Sequence, residues 1–139
     1  MASKGRPYRT VTVEGLDVLI GRGARENDAL TFSVAEPQDF WLHVGGGVPG
    51  SHVVVRNPEG LAELPRSVLE AAASYAAWYS KARAAARVEV HLCRVADVSK
   101  RRGAPAGEVE LSRWKRIKVR PLAPQEVGSS DDDADRNPA

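Results

Sequence analysis

Phe40-Trp41-Leu42-His43-Val44 is followed by Gly45-Gly46-Gly47-Val48-Pro49-Gly50 and then by Ser51-His52-Val53-Val54-Val55. Two apolar runs rich in β-branched and aromatic residues flank a glycine-rich gap, so they read as the strands of a hairpin. Side chains alternate between the faces of a strand. A hairpin centred on Gly47 and Val48 sets His43 opposite His52 and Trp41 opposite Val54. Leu42, Val44, Val53 and Val55 then share the other face, which is the expected core side. The remaining face presents an indole, two imidazoles and a glycine loop, and function is to be sought there. The alternative is a second layer covering that face, which would make Trp41 a core residue.

Upstream, Arg9–Val13 and Asp17–Ile20 form a further hairpin turned at Glu14-Gly15, and Gly21–Arg25 is a basic loop. Residues 26–35 suit a short helix, with Asn27 or Asp28 as its cap. Downstream, Pro65 to about Ala85 reads as one long helix. Pro65 suits its first turn, and Ser67-x-x-Glu70 has capping-box spacing. Val68, Ala72, Tyr75, Ala76 and Tyr79 recur at helical spacing, so one side of it packs on a sheet. Arg87–Val95 is a strand and 99–107 a basic Gly/Pro loop. Glu108–Leu111 and Lys115–Val119 are read as a closing hairpin. The expected class is α+β: an antiparallel or mixed sheet of hairpins, with one long helix packed on it and a short N-terminal helix. Residues 1–8 are expected to be a disordered leader, 9–121 the domain and 122–139 a disordered acidic tail.

The net charge of +2 is unevenly distributed. Residues 81–120 carry twelve Lys or Arg against four acids, whereas Glu126, Asp131, Asp132, Asp133 and Asp135 face only Arg136 in the tail. A basic body suggests a polyanionic partner. Met1–Pro7 lacks a signal-peptide apolar segment and no run approaches membrane-spanning length, so a cytoplasmic location without membrane contact is expected. Cys93 excludes an internal disulfide and reads as a buried bystander thiol.

Lys and Arg supply phosphate contacts, and RNA loops are recognised by stacking on aromatic or guanidinium planes. The candidate RNA contacts are therefore Arg22, Arg25, Trp41, His43, His52, Lys100, Arg101, Arg102 and the basic side of the last strand, Arg116 and Lys118. A catalytic reading would use His43, His52, Ser51 and Asp39. Ser51 and His52 are adjacent on a strand and point to opposite faces, so they do not form a nucleophile–base pair. Two facing histidines would begin a metal site but need a third ligand, and His91 is far away in sequence. No catalysis, metal or cofactor is expected. A protein-binding adaptor docking on a ribosomal or assembly factor is the other reading.

Several words of the chain resemble the NFACT-R domain, an RNA-binding module of ribosome quality-control proteins. They are Gly21-Arg22, Asn27-Asp28-x-Leu30-Thr31, Asp39-x-Trp41-Leu42-His43, Pro49-Gly50-Ser51-His52-Val53-Val54, Ala76-Ala77-x-Tyr79-Ser80-Lys81-x-Arg83 and Gly103-Ala104-Pro105-x-Gly107. The resemblance implies binding of tRNA or ribosomal RNA, with the large ribosomal subunit as a possible partner. It adds Asn27, Asp28, Gly50, Ser51, Lys81 and Arg83 to the candidate contacts. The 99–107 loop departs from the family pattern by lacking its second lysine, and Arg101 and Arg102 carry the charge instead. With no room for the family's other domains, a separate protein partner supplying them is a further expectation.

Overall fold

Val18-Leu19-Ile20 and Val53-Val54-Val55 contain no polar position, which in a strand predicts burial on both faces. A computed structural model describes residues 6–124, and there these two segments lie side by side in the middle of a sheet. The first five residues of the expected leader, and the expected acidic tail from residue 125 onward, lie outside the described residues.

The strands are β1 (Tyr8–Val13), β2 (Leu16–Gly21), β3 (Phe40–Val44), β4 (Val53–Val55), β5 (Val88–Arg94), β6 (Val98–Ser99), β7 (Glu110–Leu111) and β8 (Lys115–Val119). Six of them form one sheet in the order β1-β2-β4-β3-β5-β8, with every pairing antiparallel. The β1–β2 turn has Glu14 and Gly15 both at positive φ, 50° and 83°. That backbone matches the twist of a tight hairpin and is inexpensive at glycine. The central hairpin pairs Trp41 with Val54 and Leu42 with Val53. The closing hairpin expected at the C-terminal end does not form. Instead β7 pairs with β6 in a separate two-stranded sheet, while β8 pairs with β5.

One face of the large sheet carries Val18, Ile20, Leu42, Val44, Val53, Val55, Val90 and Val119, and α2 (Arg66–Trp78) packs on it through Val68, Ala72 and Ala76. Small alanines let helix and sheet backbones approach closely. The helix is shorter than its sequence suggests, for after Trp78 the chain turns and Ser80 bridges to Gly50. The Ser67–Glu70 capping box is also absent. Ser67 Oγ donates to Glu14, and Glu70 accepts from Arg66.

Part of the opposite face is also covered. Short helix α1 (Ala24–Ala29) runs into a π-helical turn (Leu30–Val34), and with the segment after β5 they close over Leu19, Trp41, Val54 and Cys93. Trp41 is only 1% exposed. Truncating a buried aromatic of this kind to alanine costs roughly 3–5 kcal/mol. No helix among the described residues is long and apolar enough to cross a membrane.

Candidate nucleic-acid interface

At the edge of this cover the second face opens into a cleft of about 750 Å³. Its walls are the glycine loop 45–50 on one side and residues 105–109 on the other, with His43, His91 and Trp114 between them. The register explains the convergence. Arg116 is paired with His91 across β8 and β5, and His91 with His43 across β5 and β3. His43 in turn lies edge-on to His52, with ring centroids 5.4 Å apart. Four side chains, three from β8, β5 and β3 and one from the residue just before β4, therefore stand in a row.

The deep end of the row is a closed hydrogen-bond chain. The Trp41 indole Nε1–H donates to Thr31 Oγ1 at 3.2 Å, and Thr31 Oγ1 lies 2.9 Å from His52 Nδ1. The other ring nitrogen, His52 Nε2, sits 3.2 Å from the Gly107 carbonyl. A carbonyl only accepts, so neutral His52 carries its proton on Nε2 and Thr31 donates to Nδ1. Burial, reinforced by nearby His43, lowers the His52 pKa to about 4. Burial likewise lowers that of His43, with His91 adding to the effect and backbone hydrogen bonds at Val44 and Gly50 opposing it.

The same economy fixes the loops. Asn27 is buried, its Oδ1 accepting from the His52 backbone N–H while its Nδ2 donates to the Gly50 carbonyl. Asp28 accepts from the Gly107 N–H. Lys100 reaches Asp28 at 3.2 Å and also donates to the carbonyls of Pro105 and Glu108. Its three protons are thereby used within the protein. Ser51 Oγ donates to the Gly21 carbonyl at 2.7 Å.

The open end differs in character. His91 Nε2–H donates to Glu89 at 2.8 Å, and its ring stacks on the Trp114 indole with centroids 4.1 Å apart. This hydrogen bond, helped by Arg116, holds the Glu89 carboxyl below the usual range. The Arg116 guanidinium lies 5.4 Å from the Trp114 ring. Gly45 has no Cβ to meet the His91 ring, which a larger residue would strike. Gly46 and Gly47, at φ 72° and 74°, form a turn closed by the Val48 N–H on the Gly45 carbonyl.

The structure thus separates the expected contacts into two groups. Asn27, Trp41 and His52 are buried and do not form an open face, a correction whose cause is the layer made by α1, the π-helical turn and the segment after β5. Asp28, Ser51 and Lys100 are likewise occupied by internal bonds. His43 and Gly50 are half-buried in the cleft wall. Arg22, Arg25, Lys81, Arg83, Arg101, Arg102, Arg116 and Lys118 are exposed. Of these, Arg101 pairs with Glu108 and Arg83 lies over Trp78. His91, far from His43 in sequence, and Trp114 are site residues outside the contacts expected from the sequence. The alternation of β5 set His91 on the non-core face, but only the β3–β5 pairing brings it beside His43. Cys93 is buried, with its thiol pushed up to about 12 by that burial. Among the described residues no three His, Cys, Asp or Glu side chains are placed to hold a metal ion.

Sheet, cover and cleft define a small α+β module whose cleft is lined by aromatic rings, histidines and glycine backbone. The family model described as the NFACT protein RNA-binding domain matches residues 6–113. The protein named Rqc2 homolog RqcH from Bacillus subtilis is 35% identical over 125 residues, covering 86% of this chain and 21% of its own length. Its namesake from Streptococcus suis is 32% identical over 117 residues, covering 84% of this chain and 20% of its own. In structure, the C-terminal part of the fibronectin/fibrinogen-binding protein from Streptococcus suis superposes with a TM-score of 0.75 at 31% identity, covering 84% of this chain and 46% of that one. The chain belongs to the NFACT protein RNA-binding domain family. It spans about a fifth of the length of the curated relatives it matches.

Proposed function

We propose that this chain binds structured RNA, either tRNA or ribosomal RNA, in ribosome-associated quality control, without chemistry of its own. The observation that carries the reading is the set of exposed cations on the cleft side of β8 and in segments next to cleft-lining residues. Arg116 and Lys118 are exposed on the same side of β8 as the cleft. Arg22, Arg25, Lys81 and Arg102 are exposed within three residues of cleft-lining positions. Cations around a concave surface focus field and release counterions from a phosphate backbone on binding. The large ribosomal subunit is the proposed setting, in keeping with the family match. A binding role is also supported by the state of the polar groups. The Ser51 hydroxyl is spent on the Gly21 carbonyl and both ring nitrogens of His52 on Thr31 and Gly107, so Ser51 and His52 do not act as a nucleophile–base pair.

The test is anisotropy of labelled tRNA with the full chain across a salt series. Affinity is expected to fall linearly in log–log form, and Arg116→Glu with Lys118→Glu to weaken binding and reduce the slope by about 0.7–0.9 per lost contact. Absence of RNA binding at low salt overturns the reading.

A further inference from the structure

The open end of the cleft holds features that a purely electrostatic phosphate surface does not require. Trp114 is 40% exposed although it is a large aromatic, yet its indole is held in place against His91. His91 is itself oriented by Glu89 and by the missing Cβ of Gly45. An exposed indole fixed in orientation loses little freedom when a further flat group packs on it. Beside it the Gly46–Gly47 turn is exposed, and among the described residues neither of its N–H groups has an acceptor. With nothing near the position a Cβ would occupy at either glycine, that backbone is open to close approach. Half-buried His43, on the cleft wall, offers a ring that burial keeps neutral.

We infer that the cleft seats one unpaired nucleotide of the bound RNA, its base on the exposed indole of Trp114 and its phosphate toward the Gly46–Gly47 backbone. This rests on the RNA-binding reading and specifies what within the RNA is held. A base inside a duplex has both faces stacked and its edge paired, so it does not reach an indole at the mouth of a cleft walled by two loops. An unpaired base in a loop or at a chain end does. The site is tolerant of base identity, since every base has a stacking face.

The test compares a single-stranded RNA with a blunt-ended, loop-free RNA duplex carrying the same total number of phosphates, each bound to the full chain. Trp114→Ala is expected to weaken the single-stranded probe roughly five- to a hundredfold. It should change the duplex by less than about twofold, and Trp114→Phe should recover most of the loss. Unchanged thermal melting of the variants separates this from a folding defect. In the unmodified chain, a nucleoside monophosphate should shift the ring-proton resonances of His43 and His91 and leave those of His52 in place. Equal losses on both probes, no loss on either, or a nucleotide that moves no histidine resonance overturns the seat while leaving RNA binding intact. A chain that binds neither probe, or binds only a peptide, overturns the RNA reading and the seat together.

Discussion

His52 Nε2 lies 3.2 Å from the carbonyl oxygen of Gly107, a residue 55 positions later in the chain. This bond ties the sheet to the loop that walls the cleft; by itself it favours the protonated ring, but burial and nearby His43 outweigh it and keep the imidazole neutral. Because folding lowers the His52 pKa from its ordinary 6.5 to about 4, the unfolded chain takes a proton that the folded chain refuses. The contribution is therefore neutral above pH 6.5 and destabilising as pH falls from there towards 4. At its largest it amounts to about 3 kcal/mol. Urea midpoints measured between pH 7 and pH 4.5 should fall with acidity. The fall should be shallower in His52→Gln, with His43 supplying a residual slope of the same sign.

Asn27 is a framework residue rather than a direct contact. Asn27→Ala leaves the His52 N–H and the Gly50 carbonyl without their partner, at a cost of roughly 2–4 kcal/mol. Chemical denaturation should register that loss. RNA affinity, corrected for the folded fraction, should stay within about threefold; a larger intrinsic loss would place Asn27 at the interface itself.

Lys100 and Arg102 are close neighbours in sequence but differ in role. Lys100→Met removes bonds to Asp28, Pro105 and Glu108, so amide exchange at Gly107 should accelerate and stability should drop by about 1–2 kcal/mol. Arg102 is exposed. Its reversal to glutamate should leave the melting temperature in place while lowering RNA affinity most strongly at low salt.

Gly45→Ala brings a methyl group against the His91 ring. The ring has to move, and its stack with Trp114 goes with it. Near-ultraviolet circular dichroism should change, and single-stranded RNA binding should weaken as it does in Trp114→Ala. An unaltered spectrum with unaltered binding would show that the stack does not depend on this glycine.

Much of the sheet was legible locally. Strand parity and the glycine gap gave the register that pairs Trp41 with Val54, and Glu14-Gly15 marked the first turn. The signals that failed were non-local. Nothing in the spacing of β3 tells that its free edge pairs with β5, so His91 was left remote when it stands beside His43. Nor does local periodicity reveal that α1 and the 95–111 segment fold over Trp41, because the apolar cover is scattered over Leu30, Val95, Val98, Val109 and Leu111. The α2 boundary was overestimated for a related reason. The alanines up to 86 favour helix, but the Gly50–Ser80 bridge and the Ser51 N–H bond to the Tyr79 carbonyl redirect the chain. Lys100 looked like a phosphate ligand because its charge was visible and its three internal acceptors were not.

The position of β8 has a consequence for the order in which the protein is made. Trp114, Arg116 and Lys118 lie in or just before the last of the described strands, and they join the cleft only when β8 pairs with β5. Pairings that close late in the chain form after the earlier strands and α2 have had time to assemble. During synthesis the Trp114, Arg116 and Lys118 side of the cleft is therefore added after Arg22, Arg25 and Lys81, together with the last core contribution, Val119.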